Sequence, residues 1–295
     1  MIRTSHPTHW HFLPIILLLA GGCTSTPRPT PQAADAPGEE RAMLAESRKI
    51  ADVDFDNAGA LKQLERSSGA AADAVKAIAE ARDTALDNLA NADTVAFKQT
   101  RTLLLEGGKV KTQRDFTQGS LEPTGRDLDI SIQGDGFFQV AVKVGSTTVH
   151  GYTRNGALTV NNVGELILSF GNGYDLIPRI TLPTTATNIS IATDGHVQYL
   201  KAGMTQKTTA GQIWLWRFPN PEGLSSLGAG IFTETEASGP PAQSLAGEGG
   251  AGQIMSGYLE NSNVDITHEM VRIRFLDQWR AELLRAMGMR VDAKP

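Results

Sequence analysis

The chain has 295 residues, of which 40% are hydrophobic, enough for the core of one large or two ordinary domains. Its formal net charge of -5 at pH 7 argues against nucleic-acid binding, because that class normally needs a broad basic surface. Cys23 is the single cysteine, so an intramolecular disulfide and a cysteine-based zinc cluster are also excluded.

The N-terminus has the pattern of an export signal. Arg3 and three histidines precede an apolar run, Phe12 to Ala20, that is far shorter than the ~20 residues of a membrane-spanning helix. The sequence "AGGC" that follows resembles the cleavage box of bacterial lipoproteins, in which the cysteine becomes the lipidated first residue. We therefore predict a lipoprotein-type signal peptide over residues 1–23, lipidated at Cys23. An uncleaved leader or a misassigned start codon is the alternative.

Residues 24–42 form a tether rich in proline, threonine and alanine, with too few large apolar side chains to fold. Residues 43–105 are predicted to be an N-terminal helical segment. Within it, apolar and small residues alternate at spacings of three and four, which is the heptad pattern of a coiled coil. The positions of this seam are Leu61, Leu64, Ser68, Ala71, Val75, Ile78, Arg82, Ala85 and Leu89.

Residues 106–262 are predicted to form a central all-β domain of short strands, since the apolar period becomes two and turn signals recur. Within "QGDGFF", Gly134 and Gly136 could cradle a ligand or form a hairpin turn, and the alternating residues on both sides favour the turn. In "QIWLWRF" both strand faces are apolar. Trp214, Trp216 and Phe218 therefore lie in a core or in a candidate subunit interface.

Residues 263–290 return to a helical pattern. Ser262 followed by Asp265 has the spacing of a helix cap. One apolar stripe follows, formed by Ile266, Met270, Ile273, Leu276, Trp279, Leu283 and Met287. The expected class is α+β, with N- and C-terminal helices that pair as a coiled coil and a central all-β domain of short strands.

The chain contains only weak matches to sequence motifs of catalytic or cofactor-binding sites. "GEGGAG" at 247–252 matches a dinucleotide-binding spacing, but a Pro-rich segment precedes it and no helix follows, so a loop is favoured. His268 lies one turn from Asp265, a metal-ligand spacing, but a solvated or locally paired histidine is the favoured interpretation. Asp127 and Asp129 share a strand face, as exposed polar residues do. We therefore predict no enzyme, no catalytic residue, no cofactor and no metal.

Several segments resemble, in the same order, the motifs of bacterial flagellar basal-body rod and hook proteins, above all the distal-rod members. These segments are "NLANADTVAFK" (88–98), "FTQGSLEPTGRDLDISIQGDGFFQV" (116–140), "YTRNGALTVNNVGEL" (152–166), "GQIWLWRFPNPEGLSSLG" (211–228) and "GYLENSNVDITHEMV" (257–271). The resemblance implies a structural subunit of the rod that self-assembles through its terminal helices with other rod and hook subunits. It also implies transmission of torque from motor to hook.

The same resemblance identifies assembly motifs near both ends of the chain. Their residues are Asn88, Leu89, Asn91, Thr94, Phe97, Asn263, Val264, Asp265, Glu269 and Met270. The location implied is the basal body in the periplasm, and the acidic net charge already excludes nucleic acid as a partner.

Two features depart from the family. Ala96 stands where its members usually have glycine before the motif's aromatic residue, and "FLDQWRAELL" replaces the usual sequence after Val271. A lipidated Cys23 also conflicts with export through the flagellar channel, the usual route of rod subunits. The alternative function is therefore a lipid-anchored envelope protein that docks on the basal body without polymerising.

Overall fold

A computed structural model of the chain describes residues 69–105, 109–171 and 173–288. This part of the chain is mostly β, with eighteen strands and only two α-helices. The expected α+β class with a coiled coil of terminal helices is therefore wrong, whereas the central β domain agrees with expectation. The signal peptide over residues 1–23 with Cys23, the tether over 24–42, and Leu61, Leu64 and Ser68 of the predicted seam lie outside the described residues.

The strands are short, and all their named pairings are antiparallel. In chain order they are β1 Thr100–Leu105, β2 Lys109–Arg114, β3 Leu121–Pro123, β4 Ile130–Gln133, β5 Phe138–Val144, β6 Thr147–Thr153, β7 Leu158–Val160, β8 Leu166–Leu168, β9 Tyr174–Leu176, β10 Ala186–Ile191, β11 His196–Lys201, β12 Lys207–Gln212, β13 Leu215–Arg217, β14 Ser225–Gly228, β15 Ile231–Thr233, β16 Ala242–Ser244, β17 Gln253–Ser256 and β18 Tyr258–Glu260.

The largest sheet has seven strands in the order β14-β15-β6-β5-β9-β8-β7, and a second sheet contains β10-β11-β12. The other pairs are β1-β2, β13-β16, β17-β4 and β18-β3. The last two pairs join strands from opposite ends of the β region. They therefore bring the segments that precede and follow the β domain to one place.

Alternation of apolar and polar residues builds the main core, because successive side chains of a strand point to opposite faces. Ile130 and Ile132 of β4, Val140 of β5 and Leu215 of β13 are fully buried in one apolar cluster. A second group, which we call the aromatic cluster, consists of Phe137, Tyr152, Phe218, Leu224 and Phe232 with Phe116 and Trp216 at its edge.

Helix α1 spans Gly69–Ala90 and helix α2 spans Ile266–Ala286. They are joined near the β domain by the Asn88–Glu269 hydrogen bond and farther away by the Arg82–Asp277 ion pair, which makes their contact antiparallel. The buried apolar part of this contact is small: Ile78, Ala81 and Leu276, with Leu283 packed against them.

This contact is not a coiled coil, although the predicted seam positions Val75, Ile78 and Ala85 are buried. Arg82, a seam position, forms an ion pair with Asp277 instead of packing against an apolar side chain. Of the stripe expected on α2, Ile273 and Leu276 are buried, but Ile266 and Trp279 are exposed. Polar residues therefore occupy much of the surface that a coiled coil would fill with apolar knobs.

The start of α2 also differs in detail from the expected cap. Asp265, not Ser262, is the N-cap residue, and its Oδ1 accepts a hydrogen bond from His268 N at 3.0 Å. Ser262 Oγ accepts from Val264 N one turn earlier. No helix among the described residues has the length and apolar character needed to cross a membrane.

Gly156 marks a place where the backbone approaches the core closely. A Cβ atom at this position would lie 1.9 Å from Ile130 O, and Ile130 N donates to Gly156 O at 2.9 Å. A side chain of any size would therefore push β4 away from its neighbour.

We predict that Gly156→Ala lowers the free energy of unfolding by at least about 2 kcal/mol, because the new methyl group overpacks β4. Gly69→Ala is the control, since nothing lies within 4 Å of a Cβ built there. It should be neutral or stabilising by up to about 1 kcal/mol. Chemical denaturation measures both, and equal effects of the two substitutions would contradict the packing account.

Candidate functional site

The two predicted assembly motifs meet at one place, although the contacting residues Asn88 and Glu269 are 181 positions apart in the chain. Ala96 N donates to Glu260 O at 2.7 Å, and Asn263 N donates to Phe97 O at 3.3 Å. We call the region formed by residues 88–100, 114–119, 154 and 257–269 the junction. It connects the helix pair to the β domain.

The carboxylate of Glu260 lies at the centre of the junction. Its Oε1 accepts hydrogen bonds from Lys98 Nζ at 2.5 Å and from Gly119 N at 3.1 Å. Its Oε2 accepts from Arg154 Nε at 2.7 Å. Glu260, Lys98 and Arg154 are each at most 5% exposed. A charge buried this deeply is tolerated only because both of its oxygens have cationic partners.

Arg154 carries the network into the β domain. Its Nη1 donates to Gly134 O at 2.8 Å and to Gly136 O at 2.7 Å, and its Nη2 donates to Ile132 O at 2.8 Å. Both glycines have positive φ, 108° and 136°, which explains why glycine occupies these positions. The "GDG" segment is thus a turn whose carbonyl groups bind an arginine of the same chain. It is not the expected hairpin turn, because β4 pairs with β17 whereas β5 pairs with β6 and β9.

Lys98 completes the network on the N-terminal side. Besides Glu260, its ammonium donates to Thr117 O at 2.6 Å. Burial lowers the pKa of Lys98 below its usual value, while the charge of Glu260 acts in the opposite direction. The charged state of Lys98 therefore depends on Glu260 remaining as its counter-ion.

Asn88 and Glu269 connect the ends of the two helices. The buried side chain of Asn88 donates from Nδ2 to Glu269 Oε1 at 3.0 Å and to Thr100 O at 2.9 Å. Its Oδ1 accepts from Thr100 N at 2.8 Å. Asn88 therefore connects α1 both to β1 and to α2. Asn88 and Glu269, which were expected to act in assembly, thus make contacts within one chain.

Asn263 makes a similar bridge one turn before α2. Its Oδ1 accepts from Gln99 N at 2.7 Å, and its Nδ2 donates to Asp115 O at 2.9 Å and to Thr117 O at 3.0 Å. An amide side chain can use both its donor and its acceptor in this way, which an aspartate could not do.

Asp115 is a buried carboxylate beside this bridge. Burial opposes its ionisation, but hydrogen bonds from Thr117 and Gln99, together with the charge of Arg101, outweigh that effect and hold the pKa of Asp115 below its usual value. The bonds are 2.9 Å from Thr117 N and 2.8 Å from Gln99 Nε2. Asp115 therefore stabilises the junction in its ionised form.

The remaining residues of the predicted assembly motifs lie around the junction and make fewer contacts with its other residues. Asn91 Nδ2 donates to Asp87 O at the end of α1, and Thr94 is exposed. The Phe97 ring lies 5.7 Å from the guanidinium carbon of Arg114. Asp265 caps α2. Leu89, Val264 and Met270 are half-buried.

The residues proposed as a candidate interface have different surroundings. Trp216 and Phe218 pack against Tyr152, with ring centroids 6.2 and 4.8 Å from it, within the aromatic cluster. Trp214 is half-buried between Ile213 and Leu215 of the main core. The ring contacts of Trp216 and Phe218 hold β13 and the segment after it against Tyr152 of β6.

Ala96 adopts the left-handed conformation with φ of 58°, the conformation that favours glycine. The family's glycine position therefore keeps its backbone geometry here, although alanine occupies it. The hydrogen bond from Ala96 N to Glu260 O holds this strained residue in place.

Sequence reasoning missed the charged residues of the junction. Lys98, Arg154 and Glu260 all stand inside the quoted motifs, and Asp115 directly precedes one of them. A signal was present for Arg154 and Glu260, because each is a charged residue within a turn or strand segment that is otherwise apolar or neutral. Their convergence could not be inferred, since it depends on the pairing of β3 with β18.

The chemistry of the junction is that of a structural centre. Its carboxylates and cations bind one another and backbone groups, so none of the bonded groups is prepared to act on a substrate. Within the part of the chain that the structure describes, no group of three or more His, Cys, Asp and Glu side chains is arranged to hold a metal ion.

Comparison with known proteins agrees with these observations. Residues 131–199 match the family model of the flagellar hook protein FlgE/F/G D1 domain. The chain is 35% identical to the flagellar basal-body rod protein FlgG of Buchnera aphidicola over 215 residues, which are 63% of this chain and 81% of that protein. The chain belongs to the flagellar basal-body rod proteins.

Other relatives give the same assignment. FlgG of Borreliella burgdorferi is 33% identical over 219 residues, with 64% of this chain and 81% of that protein covered. FlgG of Bacillus subtilis is 33% identical over 220 residues, with 63% and 80% covered. The matches support a structural subunit of the basal-body rod that is most similar to FlgG.

We predict that Glu260→Ala in this rod protein lowers the free energy of unfolding by about 3–5 kcal/mol, because it leaves Lys98 and Arg154 buried without their anion. Glu236→Ala, at an exposed glutamate, is the control and should change stability by less than about 0.5 kcal/mol. Urea denaturation of both variants makes the comparison. A loss below about 1 kcal/mol for Glu260→Ala would mean that the network contributes little.

We also predict an acid-dependent loss of stability from Asp115. Its native pKa is lowered, so its contribution is present above the unfolded value of about 3.9 and is lost as the pH falls through the native value. Asp115→Asn should therefore be less stable than the parent at pH 7, with a difference that shrinks below about pH 4. Denaturation from pH 7 to 3 tests this, and a pH-independent difference would assign the effect to packing. Asp135→Asn, at an exposed turn position, is the control.

Proposed function

We propose that this rod protein self-assembles through the outer surface of its terminal helices. The observation that carries the proposal is an exposed apolar stripe on α2. Val271, Phe275 and Trp279 are 56%, 61% and 39% exposed. They follow one another at intervals of four residues and therefore share one face of the helix.

The exposure of these three residues is unusual for the surface of an isolated protein. The Phe275 and Trp279 rings lie 6.1 Å apart between centroids, so they form one continuous apolar surface. Each large apolar side chain is worth about 1.5–3 kcal/mol when fully buried. Contact with another subunit would recover part of that free energy at every copy, and aromatic residues are enriched at such interfaces.

Transmission of torque is the second part of the proposal. Force applied to the helices must reach the β domain through the junction, because α1 and α2 leave the β domain there. Buried charge-assisted hydrogen bonds from Lys98 and Arg154 to Glu260 resist small displacements, since their geometry is narrow. A subunit with such a junction would turn as one body. Its partners would be further copies and other rod and hook subunits, in the basal body within the periplasm.

A second candidate function is supported by the N-terminal sequence. The apolar run before "AGGC" and the single cysteine at its end support a lipid-anchored protein. Such a protein would dock its rod-like domain on the basal body without polymerising. The two functions differ in whether the α2 stripe contacts another copy or a different rod subunit.

We predict that Phe275→Ser combined with Trp279→Ser abolishes self-assembly and leaves the monomer folded, because neither side chain belongs to a buried apolar cluster. Gln278→Ser, also exposed on α2, is the matched control and should assemble normally. Sedimentation over a range of concentrations measures assembly, and circular dichroism checks the fold. Normal assembly of the double variant would contradict the role of the stripe. A parent chain that binds other rod subunits but never itself would favour the accessory function.

We predict that the N-terminal peptide of the protein from its native cells begins at Cys23 and carries a diacylglyceryl group. Mass spectrometry of that peptide provides the measurement, with Cys23→Ser as the control that must lose the lipid mass. An unmodified peptide that begins at Met1 or at Met43 would contradict lipidation. It would leave an ordinary rod subunit without a membrane tether.

A further inference from the structure

Helix α2 has an outer face that the described part of the chain leaves exposed. Its residues recur at intervals of four and three, so they lie along one side of the helix. They are Val271, Phe275, Gln278, Glu282 and Arg285. Exposed Trp279 lies at one edge of this face, and half-buried Arg274 lies at the other. Leu276 and Asp277 contact α1 on the opposite side of the helix.

The charges of this outer face are arranged symmetrically about Gln278. Arg274 lies four positions before Gln278, and Glu282 lies four positions after it. Neither charged side chain takes part in an ion pair with another described residue. A cation and an anion at equal distances from one residue make the face complementary to itself.

Two antiparallel copies of α2, placed about a two-fold axis at Gln278, would bring these charges together. In such a pair, a position before Gln278 faces the position equally far after it in the second copy. Arg274 of each copy therefore lies opposite Glu282 of the other, which gives two pairs of unlike charges. The ends of the face also match, because the aliphatic stem of Arg285 covers Val271 of the second copy.

The aromatic rings interleave in the same arrangement. A two-fold axis perpendicular to both helices places the Trp279 side chains of the two copies on the same edge of the contact. Residues rise 1.5 Å each, so the ring-bearing positions follow one another at steps of about 3 Å. Their order is Phe275, the second copy's Trp279, Trp279 and the second copy's Phe275. The apolar surface that the neighbouring rings of one copy expose to water is thereby covered by rings of the other.

We propose that two unassembled copies of this protein pair through α2 about a two-fold axis at Gln278 and form a closed dimer. This inference rests on the proposed function in one respect, since it takes the α2 stripe as the surface of association. A two-fold contact uses the identical surface on both copies and therefore ends at two, whereas a rod needs contacts between different surfaces. The dimer covers the stripe until one copy leaves, so dimerisation competes with growth of the rod.

Cross-linking at the axis tests the geometry. The full chain with Cys23→Ser is used, so that an introduced cysteine is the only one. Position 278 faces itself across the axis, so Gln278→Cys is expected to form a disulfide-linked dimer in at least about half of the molecules after mild oxidation. Arg285→Cys is the control, because position 285 of the two copies would be about 21 Å apart along the helices. It should form less than about a tenth as much linked dimer on a non-reducing gel.

Charge exchange tests the pairing of side chains. Glu282→Arg places a third arginine beside Arg285 and the second copy's Arg274, so it is expected to raise the dissociation constant of the dimer at least about tenfold. Arg274→Glu added to the same chain restores unlike pairs and should bring the constant back to within about threefold of the parent. Glu80→Arg is the matched control, since it changes the charge equally at an exposed position of α1 and should leave the constant unchanged. Sedimentation velocity over a range of concentrations measures the constants, and circular dichroism checks the fold.

Several results would overturn the two-fold dimer. They are a parent chain that stays monomeric, equal cross-linking at positions 278 and 285, and failure of Arg274→Glu to rescue Glu282→Arg. The outcome for the proposed function is separate. If no cross-link forms at position 278 while Phe275→Ser with Trp279→Ser still abolishes association, the stripe contacts another surface and only the dimer is wrong. If that serine variant associates like the parent, the stripe is not the surface of association and both are wrong.

Discussion

The buried carboxylate of Glu260 is the constraint on which the arrangement of this rod protein depends. One oxygen binds Lys98 from the N-terminal motif, and the other binds Arg154 from the end of β6. A buried carboxylate that loses a cationic partner is costly, so neither contact can be given up independently. The pairing of β3 with β18 places Glu260 there, and Arg154 in turn holds the carbonyl groups of the β4–β5 turn. One side chain thus joins the N-terminal motif, the C-terminal motif and the β domain.

The helices differ from the junction in how they are held. The junction is buried and fully paired at its centre, whereas the α1–α2 contact has a small apolar cluster and the Arg82–Asp277 pair. Meanwhile Val271, Phe275 and Trp279 of α2 face outward. A rigid connection and an incompletely covered helix pair suit a subunit whose helices contact other subunits while its β domain follows them. The family assignment and the physical features therefore agree on a structural role.

The sequence predicted those parts of the fold that depend on local pattern. Alternation of residues predicted the β domain, and the glycines of "GDG" predicted a turn, because a positive φ is a local requirement. The coiled coil was wrong because Arg82, a predicted seam position, forms an ion pair with Asp277, so the buried apolar contact between the helices is small. In the junction, Asn88 and Asn263 were found through motif resemblance, but Lys98, Arg154 and Glu260 were not. Their meeting depends on long-range strand pairing, which no local spacing encodes.

Hydrogen exchange of the monomer, followed by mass spectrometry, tests most directly whether the junction and the β domain are one body. If they are, the amides of Ala96, Gly119 and Asn261 exchange as slowly as those of β4 and β5, because all of them open only in global unfolding. The outer turns of α1 and α2, which lie beyond the junction, exchange faster. Exchange of the junction amides at the rate of the outer helical turns would contradict the account, since the buried network would then open without the β domain.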